Sequence, residues 1–194
     1  AIKKIGYPVV LKPINGNHGR GATTNIKDWE SALIAFEIAK KHSRAIICEK
    51  FITGYDFRLL VVNYKFICAA KRTPACVTGD GKSNIQELID QVNADPRRGY
   101  GHEKVLTQIK IDAVTEKILS DKELTLDSVL QAGEVLLLKP TANLSTGGTS
   151  TDVTDFVHPN NIFLAERIAR IIGLDICGID IMAPDLSTPL EENG

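Results

Sequence analysis

Lys12 closes the apolar run Tyr7-Pro8-Val9-Val10-Leu11-Lys12, and Gly16, Gly19 and Gly21 follow within nine residues. Glycines spaced this way between a strand and a helix let backbone N–H groups approach phosphate oxygens, and a lysine at the strand end reaches the same oxygens as a point charge. The order is not the G-x-G-x-x-G of a dinucleotide fold, and a plain turn has the same composition. A second charged stretch is Cys48-Glu49-Lys50-Phe51-Ile52-Thr53-Gly54-Tyr55-Asp56-Phe57-Arg58, which places two carboxylates and two cations around one bend. Glu49 and Asp56 suit either the two ends of one ligand or a solvated surface. Asp180 lies inside Ile179-Asp180-Ile181-Met182, a run otherwise fit for a buried strand. A carboxylate there is costly unless paired or bound to a cation, so a structural ion pair and a metal ligand are both open readings. Arg72 carries the same two readings.

Two look-alikes carry no weight. Gly81-Lys82-Ser83 spells the end of a phosphate-binding P-loop, but its first glycine would fall at Cys76, and Ser83 serves better as a helix cap. Asn143-Leu144-Ser145 spells a glycosylation acceptor in a chain with no other mark of secretion.

The elements that must position these residues read as a mixture of paired strands and packed helices. A strand ends at Lys12, and a helix follows a cap at Asp28, with Trp29, Ala32, Leu33, Phe36 and Ala39 at helical spacing. Ala45 to Cys48 is a strand, and Phe57 to Asn63 and Tyr64 to Lys71 pair around a turn at Asn63. Ser83-x-x-Gln86 reads as a capping box for a helix that ends at Asp95-Pro96. Residues 97–134 are poorly patterned apart from a short helix near 113–120. A strand at Val135 to Leu138 feeds the loop Lys139 to Gly148, a helix runs from about Asn161 to Ile172 before Gly173, and Ile176 to Met182 is the last strand. Pro184 to Gly194 reads as a loop. The predicted class is α+β rather than a doubly wound parallel sheet.

A chain of 194 residues with 43% hydrophobic residues can bury a core as one domain or two joined lobes. Its net charge of −1 supplies no field for nucleic acid or an anionic membrane, and no apolar run reaches the length of a membrane span. The four cysteines form no C-x-x-C pair and read as reduced structural thiols of a cytoplasmic protein. The four histidines lack metal-ligand spacing. The start Ala1-Ile2-Lys3-Lys4 reads as internal to a longer protein.

Together these pieces resemble the ATP-grasp superfamily. Gly6 to Pro13 and the glycine loop are similar to its phosphate-grasping strand and lid, and Glu49 to Asp56 is similar to its hinge. Three longer blocks, Arg72 to Gly81, Asn93 to Gly99 and Asn143 to Asp155, resemble cyanophycin synthetases, and the ATP-grasp half of bifunctional glutathione synthetases looks similar in the same blocks. The tail with Pro184-Asp185-Leu186 and Pro189-Leu190-Glu191-Glu192 favours the former.

The resemblance implies two α+β lobes gripping ATP, residues 1–55 as lid lobe and hinge and 56–194 as C-terminal lobe, incomplete at the C-terminal end. Lys12, Gly16, Gly19 and Gly21 would hold the phosphates. Glu49, the backbone at Lys50 and Ile52, and Met182 would hold adenine, and Asp56 the ribose. Asp180 would ligate Mg2+. Arg72 and Arg58 would neutralise an acylphosphate, and Asn143 with Ser145, Thr146, Gly147 and Gly148 would orient the acceptor carboxylate. The implied partners are aspartate and an aspartate–arginine polymer, within a multidomain, oligomeric chain. Glu191-Glu192-Asn193 spells the superfamily's late E-x-N, but it sits in a polar stretch that reads as the turn before the strand expected to carry it. Glycine addition in glutathione synthesis and a nucleotide-binding module without turnover are the alternatives.

Overall fold

A computed structural model describes residues 1–15, 21–101 and 103–193. The described residues fall into two compact units, Ala1–Thr53 and the chain from Gly54 onward.

In the first unit, helix α1 (Ile2–Ile5) precedes strand β1 (Val9–Pro13), β2 (Thr23–Ile26), helix α2 (Trp29–Lys40) and β3 (Ile46–Lys50). The strands form an antiparallel sheet in the order β2-β1-β3. Side chains alternate across a strand, so Val9 and Leu11 share one face, and they join Ile26, Ala32 and Ala35 in the core under α2. Asp28 caps α2 as expected, accepting from the Ser31 N–H at 2.7 Å. The buried stripe of this helix is Ala32, Ala35 and Ala39, whereas Trp29, Leu33 and Phe36 are exposed. Helical spacing put the large residues on a face; it did not say that the alanines, which allow close approach to the sheet, take the inner one.

The second unit contains β4 (Tyr55–Val62), β5 (Lys65–Thr73), β6 (Cys76–Thr78), α3 (Ile85–Asn93), β7 (Arg98–Gly99), β8 (Leu106–Thr107), α4 (Ala113–Asp121), β9 (Val135–Leu137), β10 (Thr149–Asp152), α5 (Pro159–Ile172), β11 (Ile176–Ala183) and α6 (Leu190–Asn193). Its main sheet is antiparallel in the order β10-β5-β4-β11. Phe57, Leu59, Val61 and Ala69 pack with Ala165 and Ala169 of α5 on one face. A second core gathers Ala75, Val77, Ile85, Leu88, Ile89, Leu119 and Leu138 between β6, β9, α3 and α4. The mixture is α+β. No helix among the described residues is long and apolar enough to cross a membrane.

Three local expectations are corrected. The capping box of α3 is Asn84 with Glu87, one residue later than Ser83 with Gln86. Ser83 is held instead by Asp80, whose carboxylate accepts its N–H at 2.7 Å and its hydroxyl at 2.8 Å. The tail is not all loop. Residues 190–193 form the short helix α6, whose first N–H donates to Asn161 Oδ1 at 2.9 Å. Finally, β11 is not a buried strand. Among the described residues it lies at the sheet edge, and Gly178, Asp180 and Met182 are exposed while Cys177, Ile179 and Ile181 are half-buried. An apolar run reads as buried on both faces only where both faces are covered, and α5 covers one.

Candidate functional site

The first unit brings Lys12 and Glu49 together on the sheet face opposite α2. Val10 pairs with Glu49 and Lys12 with Ile47, so these four share a face, and Lys12 Nζ reaches Glu49 Oε2 diagonally at 2.7 Å. Both are partly exposed, at 41% and 45%, so the pair holds the lysine loosely and leaves it open to a competing anion. Lys50 points elsewhere, donating to the Tyr7 carbonyl at 3.3 Å. Ile52 follows β3 and is half-buried. Gly21 has φ +72, and a Cβ there would come 2.5 Å from the His42 ring, so the loop's end requires glycine. Gly16 and Gly19 lie outside the described residues.

In the second unit the sheet register collects the other charged residues. Asp56 faces Arg72 on β5 and Met182 on β11, and Arg58 faces Asp180. These five share the face away from α5. Arg58 grips Asp180 through two parallel bonds, Nε to Oδ1 at 2.8 Å and Nη2 to Oδ2 at 2.9 Å. Arg72 Nη2 reaches Asp180 Oδ1 at 3.1 Å, and Arg72 Nε donates to Asp56 Oδ1 at 2.7 Å. The Arg58 hydrogen bonds hold the Asp180 carboxyl below its ordinary range, against partial burial and with help from the Arg72 charge. The same bond to Asp180 raises the Arg58 guanidinium. Side-chain periodicity in strands far apart in sequence therefore delivers an alternating chain of two aspartates and two arginines.

Beside this network opens a cleft of about 620 Å³, lined by Arg58, Arg72, Ser150 and the segments around Thr107 and Asn143. Asn143 and Ser145 line it; Thr146, Gly147 and Gly148 support it. The Asn143 carbonyl accepts from the Thr146 hydroxyl at 3.1 Å and the Gly148 N–H at 3.0 Å, closing the loop on itself. A Cβ on Gly148 would come 2.7 Å from the carbonyl oxygens of Asn143 and Thr73, so only glycine lets the loop lie against β5. Arg98, absent from the sequence-level candidates, is buried and donates from one nitrogen to Thr107 O at 2.6 Å and Gly147 O at 2.9 Å. It staples the two walls of the cleft. Lys104 and Ser150 were also missed as lining residues; Lys104 lies in the stretch without readable periodicity.

Among the described residues no three His, Cys, Asp or Glu side chains converge to hold a metal ion. Asp180 brings a single carboxylate whose two oxygens both accept from guanidinium groups. All four cysteines are free and half-buried.

No family profile matches the chain. Curated relatives do. It is 52% identical over 189 residues to cyanophycin synthetase of Crocosphaera subtropica, covering 96% of the chain and 22% of the relative. Identity to the cyanophycin synthetase of Synechocystis sp. is also 52%, with the same coverage. The glutathione biosynthesis bifunctional protein of Clostridium perfringens is 33% identical over 95% of the chain and 24% of its own length. Among solved structures, a bifunctional glutathione synthetase from Pasteurella multocida superposes with a TM-score of 0.68 at 32% identity, covering 93% of this chain and 25% of that one. The chain thus spans under a quarter of the length of the relatives it matches.

Proposed function

We infer that this chain, which has the ATP-grasp fold and matches one stretch of the cyanophycin synthetases, serves a longer enzyme as an ATP-dependent carboxylate–amine ligase. The observation that carries the reading is the 52% identity along 96% of the chain.

A carboxylate does not condense with an amine at neutral pH without activation. In the proposed reaction a carboxylate oxygen attacks the γ-phosphorus of ATP and ADP leaves. The amine nitrogen then attacks the acyl carbon, inorganic phosphate leaves with the C–O bond electrons, and the nitrogen gives up one proton to solvent. Catalysis of both steps rests on positioning and on neutralising charge. Lys12 is read as the phosphate cation. Its loose pairing with Glu49 supports this, since a lysine locked in a buried pair would not be free to turn to an anion. Glu49, with the backbone of Lys50 and Ile52, is assigned to adenine, as is Met182; Asp56 is assigned to the ribose. Arg72 and Arg58 are assigned to the acyl phosphate oxygens, and Asn143 and Ser145 to the carboxylate that accepts the phosphoryl group.

Magnesium, when bound, neutralises phosphate oxygens, and Asp180 is the ligand assigned to it. One carboxylate already shared by two arginines does not make the octahedral oxygen shell that this ion demands, so no step here runs through the metal.

The finer proposal is that the amine is L-aspartate and the activated carboxylate is the C-terminus of an aspartate–arginine polymer. The relatives at 33% identity motivate the alternative of γ-glutamylcysteine and glycine. The whole protein containing this chain is expected to release ADP with a short aspartate–arginine primer, L-aspartate, ATP and magnesium, and to stay idle with the glutathione pair. Turnover of the second pair alone reverses the assignment. ATP binding with no turnover on either pair points to a nucleotide-binding module.

A further inference from the structure

We propose that Lys104 is the residue through which the cleft of the second unit recognises the side-chain carboxylate of an acidic amino-acid substrate. The inference rests on the ligase reading and adds to it a residue that sets amino-acid preference.

The charge inventory of the cleft comes first. Arg58 and Arg72 line it, but each is already engaged by a carboxylate of the Asp56–Arg72–Asp180–Arg58 chain, in which two positive and two negative groups cancel. Lys104 is the remaining cation of the lining, and it has no carboxylate partner among the described residues. Its Nζ donates to the Pro96 carbonyl at 2.8 Å. A neutral carbonyl leaves the ammonium charge uncompensated, and exchanging it for a carboxylate adds the attraction of an opposite charge to a bond whose donor is already ionised. Among the lining residues Lys104 is therefore the cation that no carboxylate offsets, while Arg98, behind the same wall, is held by the Thr107 and Gly147 carbonyls.

Position is the second argument. The Lys104 stem lies across Gly99, where an added Cβ would come 2.9 Å from Lys104 Cγ. The short parallel pair of β7 and β8, Arg98 with Leu106 and Gly99 with Thr107, closes the loop that carries the lysine. Arg98 then ties this loop to Gly147, so the lysine wall is fixed against the Asn143–Ser145 wall. A long surface lysine normally loses side-chain entropy on binding; this one has its stem already packed. Between the walls, Asn143, Ser145 and Ser150 offer uncharged hydrogen-bonding groups, and Leu60, Ala70 and Val105 offer apolar contact. That combination suits a short aliphatic chain bearing a carboxylate.

The test uses the whole protein. Lys104 is exposed, so Lys104→Met removes the charge without emptying a core. In the wild type kcat/KM is measured for L-aspartate and for L-asparagine, which differs in the side-chain carboxylate alone. The expected result for Lys104→Met is a loss of that preference by roughly tenfold or more, the scale of a lost hydrogen bond to a charged group, with KM for ATP unchanged and with Lys104→Arg restoring most of it. An independent arm titrates the same variants with succinate, a dicarboxylate with no amine to ligate, and expects weaker binding by Lys104→Met. Should the wild type fail to ligate aspartate yet bind succinate through Lys104, the aspartate assignment falls and the carboxylate site stands. Unchanged amino-acid preference together with unchanged succinate affinity in Lys104→Met overturns it, as does a wild type that neither ligates aspartate nor binds succinate.

Discussion

Replacing Arg98 by methionine separates the staple from the charge it carries. Arg98 is 6% exposed, and one of its guanidinium nitrogens serves both Thr107 O, at 2.6 Å, and Gly147 O, at 2.9 Å. Methionine keeps much of the volume but offers no donor. Each buried carbonyl left without its partner costs about 1–3 kcal/mol. Against this, burial disfavours the charged guanidinium and pushes its pKa down, so removing the cation relieves part of the penalty. The balance is a net loss of about 2–4 kcal/mol, or roughly 5–12 °C in Tm for a chain of this size. Arg98→Lys should fall between the two, because it keeps the charge but not the planar fork. Urea unfolding followed by circular dichroism measures the difference, with the m-value checked for constancy. A second readout, KM for the carboxylate substrates against KM for ATP in the whole protein, should show only the former raised. A stability within about 0.5 kcal/mol of wild type for Arg98→Met, the range of an ordinary surface change, would refute the staple.

Three further outcomes are expected. Lys12→Ala in the whole protein should lower ATP turnover roughly a hundredfold, the scale of lost transition-state charge stabilisation, and near-normal turnover removes Lys12 from the phosphate site. Asp80 has its pKa lowered from 3.8 to about 2, chiefly by the Ser83 N–H and then the Ser83 hydroxyl and the Lys82 N–H. Its contribution to stability is therefore complete above about pH 4 and lost as the pH falls toward 2; Asp80→Asn should flatten that part of the stability–pH curve, and an unchanged curve counts against it. Asn161 is buried and bonds the backbone of the tail three times, to Leu186 O at 3.0 Å, to Thr188 O at 2.9 Å and from Leu190 N at 2.9 Å. Asn161→Ala should cost about 3 kcal/mol by denaturant unfolding, and Asn161→Asp, which retains only the acceptor, should not rescue it.

Much of the frame is legible because single residues dictate it. Asp28 caps α2, Gly173 ends α5 with a left-handed φ of 77, and Asn63 with Tyr64 turns β4 into β5. The charged cluster was legible as residue types but not as an arrangement, since Asp56, Arg58, Arg72 and Asp180 meet only through strand register. The slip of one residue at α3 has a plain cause. Ser83 and Asn84 are both good caps, Gln86 and Glu87 both complete a box, and the choice is made by Asp80, which takes Ser83 for its own turn. Arg98 and Lys104 were hidden for another reason. A cation after Arg97 reads as one more solvated charge, and only the fold buries Arg98 against Thr107 and Gly147 and sets Lys104 in the lining of the cleft.

The order in which the charged network comes together follows from chain separation. Asp56 and Arg72 are 16 residues apart and joined through a two-residue turn, whereas Arg58 and Asp180 are 122 apart. Pairing within the hairpin closes a small loop; docking of β11 must close a much larger one and comes late. During synthesis at about 5–20 residues per second, Arg58 would wait roughly 6–24 s for its carboxylate. Until then the nascent hairpin shows Arg58 without its Asp180 partner beside an unpaired strand edge, on the flank that β11 will occupy. A charged side chain beside an open edge is one of the features that discourage pairing with another chain, and Arg58 holds that place until β11 docks.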